Sequence, residues 1–279
     1  MTATRVTAVF GGGGAKAAAQ IGALRALEEA GIRPSRYVGT SMGGVIAAGA
    51  ASGASADELS RRFRAVRAAE VARPRAFAPL AGLWFPSLLQ AAPLRHTLGR
   101  LVPERRFADL AAPLTLTAVD VDTRELVMIG DGGLDLPLLD ALTATTALPV
   151  YYPPAEVGGR RLVDGGLRAV LPLDIAARFA ADLVVVVDVG PGFDEPAPKQ
   201  RLKGPGLLLA HDACEGILMA QQALDALARW RATPGRCRLL HVRPPLPRSA
   251  TFAAELFVQF EQAGYHATRA VLAEERLHG

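Results

Sequence analysis

Val38-Gly39-Thr40-Ser41-Met42-Gly43-Gly44 is the stretch from which the fold is read, and its pattern is G-x-S-x-G. Arg36-Tyr37-Val38 reads as the end of a short strand. Val45-Ile46-Ala47-Ala48-Gly49-Ala50-Ala51 behind it reads as a helix of small apolar residues. A serine on so sharp a strand-to-helix turn takes a strained backbone and carries its hydroxyl away from the sheet. Gly39 and Gly43 suit such a turn because a side chain at either would crowd it. The free N–H groups at the start of the helix face the place where negative charge develops in acyl transfer. The plainer reading is a tightly packed helix with Ser41 as its N-cap. Taken alone, the pentapeptide leaves the two readings level.

Working outward, Thr4 to Phe10 predicts a buried strand, Gly11 to Gly14 a backbone loop, and Ala15 to Ala30 a helix closed by a C′ glycine, Gly31. Together with the strand before Ser41 this is a βαβ unit, which calls for a parallel pair and a right-handed crossover. Ser55-Ala56-Asp57-Glu58 is a capping-box signature for another helix. Leu114 to Asp120 and Glu125 to Ile129 read as strands around a tight connection, and Leu138 to Leu148 as a short helix. Leu173 to Ala181 is a helix pattern before the valine-rich run Leu183 to Val189, which suits a central parallel strand. Gly190 to Gly206 reads as a surface loop, Leu207 to Trp230 as a helix, Cys237 to Val242 as a strand, and Phe252 to Arg276 as a closing helix. Strands and helices alternate throughout, which favours one α/β domain with a mostly parallel sheet.

The 279 residues are 50% hydrophobic and 21% charged, ample for a globular core. The net charge of +4 is nearly all arginine, with Lys16, Lys199 and Lys203 the only lysines, so nucleic-acid binding is not indicated. Cys214 and Cys237 lack metal-type spacing, and with no export signal they are expected as free thiols in the cytosol. The longest uncharged stretch, Tyr37 to Ala56, is laced with Gly and Ser and holds the elbow itself, so no membrane span is expected. The segment 73–106 is rich in Pro, Arg and Leu and carries Phe77, Trp84 and Phe85. That composition suits a lid or a peripheral membrane contact, though a partly buried insertion with solvated arginines is the commoner outcome.

Gly11-Gly12-Gly13-Gly14-Ala15-Lys16 lies between a strand and a helix, where backbone N–H groups approach an anion closely. Gly12-x-Gly14-x-x-Ala17 fits a dinucleotide fingerprint, but the next strand ends in Gly39-Thr40-Ser41 rather than in the acidic residue that a ribose needs. A P-loop fails because Ala flanks Lys16 on both sides. Adjacent parallel strands end on one side of a sheet, so the glycine loop and Ser41 should lie together, and an oxyanion hole is the better reading. None of His96, His211, His241, His266 or His278 sits in a recognisable turn motif. Leu162-Val163-Asp164-Gly165-Gly166-Leu167 puts an aspartate at a strand end before two glycines, in a turn that could aim it at Ser41. Asp131 in Ile129-Gly130-Asp131-Gly132-Gly133 is a near-twin, and the plainer reading of both is an ordinary Asp-Gly turn. Composition does not choose between them.

Gly12-Gly13-Gly14-Ala15-Lys16, Gln20-Ile21-Gly22-Ala23-Leu24, Gly39-Thr40-Ser41-Met42-Gly43 and Asp164-Gly165-Gly166, in that order, resemble the motifs of the patatin-like phospholipase family. The flanks Ala147-Leu148-Pro149-Val150-Tyr151-Tyr152-Pro153-Pro154 and Leu171-Pro172-Leu173 strengthen the resemblance, which spans about residues 6–177; the last hundred residues carry no matching motif. The resemblance implies a three-layer α/β/α fold over 1–279, with 178–279 completing a catalytic core. It implies a lipid acyl hydrolase with Ser41 as nucleophile, Asp164 as general base, and no histidine, metal or cofactor. It also implies an oxyanion hole from Gly12, Gly13 and Gly14, with Lys16, Gly39, Gly43, Gly165 and Gly166 in support. It selects Asp164 over Asp131, since only Asp164 has the family's flanks. The implied partner is a lipid or acyl-ester substrate, met in the cytosol or at the inner membrane face. Ala17 departs from the family, which usually has glycine there. The rivals are a soluble short-chain esterase or thioesterase, a catalytically silent lipid- or protein-binding module of the same fold, and, more distantly, a dinucleotide-dependent oxidoreductase.

Overall fold

A computed structural model describes residues 4–75, 87–194, 205–247 and 253–278. Strand β1 (Val6–Phe10) is buried along its whole length and leads through the glycine loop into helix α1 (Ala18–Glu29). The helix expected from Ala15 starts as a 3-10 turn, Gly14–Ala17, because Gly14 takes a left-handed φ of 57° that an α-helix does not use. Strand β2 (Arg36–Thr40) then turns directly into α2 (Ser41–Ala51), so the elbow serine itself begins the helix that the apolar run suggested from Val45. Helices α3 (Ala56–Arg64), α4 (Ala68–Val71) and α5 (Ala91–Leu101) follow. Ser55 caps α3 by accepting the Glu58 N–H at 3.2 Å, as its sequence signature required. Phe77, Trp84 and Phe85 lie outside the described residues, and α5 is the helix that the described part of the 73–106 segment forms.

Strands β3 (Leu114–Asp120) and β4 (Leu126–Gly130) form the expected hairpin, followed by α6 (Leu138–Thr145). The strand that ends at Asp164 is β6 (Arg160–Asp164), and it pairs through a turn at Gly158 and Gly159 with β5 (Ala155–Val157), which was not foreseen. Single-turn helices α7 (Gly166–Ala169) and α8 (Leu173–Ala176) lead to β7 (Leu183–Val187). The helix expected to reach Ala181 stops early. The long helix α9 (Gly206–Ala232), strand β8 (Arg238–Val242) and α10 (Phe257–His278) complete the chain. Cys214 and Cys237 are free thiols, and no helix among the described residues is long and apolar enough to cross a membrane.

The strands form one sheet in the order β5-β6-β3-β2-β1-β7-β8, with β4 also on β3. The pairs β1–β2, β2–β3, β1–β7 and β7–β8 are parallel, whereas β4 and β6 run against β3. Both faces are covered, hence the unbroken valine run of β7. Ala8, Phe10, Val185 and Val187 face a core shared with α1, α2 and α10, while Val9, Val38, Val184 and Val186 face Leu173, Ala226 and Trp230 of α8 and α9. These are the two outer layers of an α/β/α sandwich.

Strand β3 sets the geometry of everything near Ser41. On one of its sides β2 ends with Thr40 opposite Thr117. On that same side β6 arrives from the opposite direction and ends with Asp164 opposite Ala118, one residue further along. The other side is held by β4. Two chain ends thus meet head to head on a single strand.

Helices α1 and α10 cross with backbones nearly touching: a Cβ on Gly22 would stand 1.8 Å from the Glu261 carbonyl oxygen, and one on Gly264 would stand 1.8 Å from that of Ala19. Gly264→Ala is therefore expected to lower the unfolding free energy by about 1–3 kcal/mol through overpacking. Gly206→Ala, where a Cβ meets nothing within 4 Å, is the neutral control. Urea denaturation of the three proteins checks this.

Candidate active site

Ser41 has φ of 56°, a left-handed conformation that serine seldom adopts, and it is held there by its surroundings. Its N–H donates to Thr145 Oγ1 at 2.9 Å. No room exists for a larger residue at the turn: a Cβ on Gly43 would fall 2.3 Å from the Gly11 carbonyl oxygen, and one on Gly39 would fall 2.5 Å from the Gly44 Cα. The glycines of the G-x-S-x-G pattern are thus required by close backbone approach. Beneath the turn, the buried hydroxyls of Thr40 and Thr117 share a hydrogen bond of 2.6 Å, and Thr40 Oγ1 donates to the Ala169 carbonyl at 2.9 Å. This threonine pair ties β2, β3 and the end of α7 together.

The Ser41 hydroxyl donates to Asp164 Oδ2 at 2.5 Å, and the Gly166 N–H donates to Asp164 Oδ1 at 2.8 Å. Asp164 is 1% exposed. Burial pushes its carboxyl up to about 7, against the pull of the Ser41 and Gly166 hydrogen bonds; the Glu215 carboxylate on α9 adds to the rise. Gly165 is fixed by space, since a Cβ there would lie 2.2 Å from Thr117 Oγ1. The rival aspartate, Asp131, sits elsewhere, ion-paired with Arg36 and half exposed.

The glycine loop abuts the serine. A Cβ on Gly12 would lie 3.4 Å from the Ser41 Cβ. The Gly12 N–H, however, donates to the Val170 carbonyl at 2.9 Å. That amide is therefore occupied, which takes Gly12 out of the expected trio of donors. Gln20 Nε2 holds the loop from inside by donating to the Gly11 carbonyl at 2.7 Å. Lys16 is buried in the turn that follows, and Ala17 ends that turn with its side chain in the core.

The Ser41 hydroxyl goes to a carboxylate, while His211 lies beside Asp212 and His241 lies 3.4 Å from Asp188. Among the described residues one group has metal-ligand spacing, His211, Asp212 and Glu215, whose donor atoms lie within 4.8 Å of one another. Asp212 there already accepts the Tyr151 hydroxyl at 2.7 Å. Thr145, Thr117 and Glu215 were not singled out from sequence. A threonine inside an apolar helix or strand carries no pattern that separates a functional hydroxyl from packing.

A profile of the family described as patatin-like phospholipase matches residues 8–177, and the chain belongs to that family. Patatin-like phospholipase domain-containing protein 6 of Mus musculus is 31% identical over 194 residues, which is 68% of this chain and 14% of that protein. An NTE family protein of Mycobacterium bovis is 31% identical over 198 residues, 69% of this chain and 51% of that one. The chain thus spans about one seventh of the first relative and about half of the second. Among solved structures, the type III effector protein ExoU shares the fold with a TM-score of 0.51 at 14% identity, covering 98% of this chain and 53% of its own. Family profile and shared fold agree in placing the chain among the patatin-like phospholipase proteins.

The buried carboxylate has a cost in stability that depends on pH. A folded value near 7 against about 3.9 in the unfolded chain means that the native state holds the extra proton between those values, so stability falls as pH rises through that window. Asp164→Asn removes the dependence. Its stability gain over the parent is expected to be about 2 kcal/mol larger at pH 8 than at pH 5, as read from denaturant midpoints at the two pH values.

Proposed function

We propose that the protein is a serine acyl hydrolase that cleaves carboxylic esters of lipids, of the phospholipase A or lysophospholipase type, through a Ser41–Asp164 dyad. The single observation that carries the reading is the 2.5 Å hydrogen bond from a strained elbow serine to a buried carboxylate. In this reading Ser41 Oγ attacks the ester carbonyl carbon while its proton passes to Asp164 Oδ2. The carbonyl oxygen takes up negative charge against the amides of Gly13 and Gly14. Asp164 returns the proton to the departing alcohol, and an acyl-enzyme remains. Water then attacks the acyl carbon, giving its proton to Asp164; collapse releases the acid and restores the serine.

A carboxylate with the ordinary value of about 3.9 is a weak base at neutral pH. Burial that lifts Asp164 to about 7 brings it near the ideal for a general base. The side of α9 away from the sheet supports a lipid over a short acyl ester. Ile217 and Leu218 are 57% and 65% exposed there, beside Met219, whose Cε lies 3.2 Å from where a Gly166 Cβ would be. Phe193, 55% exposed, rises from the neighbouring loop. An apolar rim of this kind suits acyl chains and a peripheral lipid surface.

Ser41→Ala is expected to abolish turnover and labelling by a fluorophosphonate probe. Asp164→Asn should lower kcat by about 10²- to 10⁴-fold, while Asp131→Asn stays within about twofold of the parent. Hydrolysis of p-nitrophenyl esters of graded chain length and of phospholipid vesicles measures all of these. Turnover of short esters with none of vesicles would favour the esterase reading, and a folded protein that takes no probe would favour the silent module. The base must be deprotonated, so kcat/KM should rise with pH along an acid limb centred near pH 7. That limb should persist in His211→Gln and His241→Gln; its loss in either would point to a histidine base.

A further inference from the structure

We propose that Arg243, from the part of the chain beyond the family match, is a positioning residue for the oxyanion loop, acting through the segment 188–194. The inference rests on the acyl-hydrolase reading, and it identifies what keeps the glycine loop of that site in register. The loop is braced from outside by the segment that follows β7. A Cβ on Gly13 would stand 2.6 Å from the Val189 carbonyl oxygen and 2.9 Å from Val189 Cγ2, so these two stretches of chain lie at the closest approach that a glycine allows. Gly190 is equally near: a Cβ there would lie 3.3 Å from the Gly12 carbonyl oxygen. The donors Gly13 and Gly14 therefore rest on a backbone whose own position must be fixed.

Three anchors fix it, and two depend on Arg243. Asp188 N–H continues the β7–β8 ladder to the Val242 carbonyl at 2.9 Å. Arg243 Nη1 then donates to Asp188 Oδ2 at 2.9 Å, while Asp188 Oδ1 accepts the Gly190 N–H at 3.2 Å. On the far side of the bend, Arg243 Nε and Nη2 grip the two oxygens of Asp194 at 2.8 and 2.7 Å. One guanidinium thus spans both ends of the brace. Its planar fork suits this in a way that a lysine ammonium does not. Asp188 is buried, so without the arginine its carboxylate would lose its main counter-charge and pull the segment toward solvent. A shift of the brace by a fraction of an ångström would leave substrate binding in place and misdirect the amides, a loss confined to the transition state.

The experiment compares Arg243→Met, Arg243→Lys, Asp194→Asn and the surface control Arg238→Met, whose partner Glu275 lies on the far end of α10. For each, kcat and KM on a p-nitrophenyl ester, the rate of fluorophosphonate labelling at Ser41, and the melting temperature are measured. The expected result is a fall of about 10- to 100-fold in kcat and labelling rate for Arg243→Met, with KM within about twofold. Arg243→Lys should recover part of the loss, Asp194→Asn should lose about two- to fivefold, and Arg238→Met should match the parent. If Arg243→Met does not fold, Asp194→Asn decides, since it leaves the buried Asp188–Arg243 pair intact. Parent-like kcat and labelling in folded Arg243→Met, or in Asp194→Asn where that variant decides, overturn the inference while the hydrolase reading stands. A rise in KM at constant kcat overturns it as well. A parent chain that takes no probe at Ser41 removes the hydrolase reading, and the inference with it.

Discussion

A carboxyl group taken out of water needs either a counter-charge or a proton nearby, and Asp164 has the Ser41 hydroxyl and one backbone amide. Most of the surrounding structure can be understood as what keeps that small hydrogen-bonded group dry and in place. The Thr40–Thr117 pair fills the space beneath it with matched hydroxyls. The closely approaching glycines at 39, 43 and 165 let three backbones crowd around it. The raised value of the carboxyl is the electrostatic consequence of that seclusion, and it is what suits the group to the base role proposed for it.

Sheet topology explains how groups 123 residues apart reach one another. The parallel strands β1 and β2 end on the same side, which brings the glycine loop to the serine, as a crossover unit must. The carboxylate arrives by a different route, on an antiparallel strand that takes over the edge of β3 where β2 leaves it. The helical layers then close both faces, and β7 and β8, which lie beyond residue 177, extend the same sheet from β1.

Much of this was legible in the residues. The elbow, the crossover unit, the capped helix at Ser55, the C′ glycine at Gly31 and the central valine strand each follow from local sterics, which short sequence windows record. The choice between Asp164 and Asp131 was not local: both are Asp-Gly turns, and family resemblance favoured the first before the fold placed it against Ser41. The strand end at Asp164 was legible, but its hairpin partner β5 escaped notice because it is only three residues long. Thr145, which orients the elbow, and Arg243, which spans two aspartates, depend on tertiary neighbours far along the chain. The occupied amide of Gly12 belongs with them, since its acceptor, Val170, is set only by the packing of α7.

Because β2 and β6 both pair with β3 along one side, the register of that strand sets where the Ser41 hydroxyl and the Asp164 carboxylate stand. A slip of a single residue in either pairing would turn Thr40 or Asp164 to the opposite face of the sheet and part the two groups, whatever became of the helices around them.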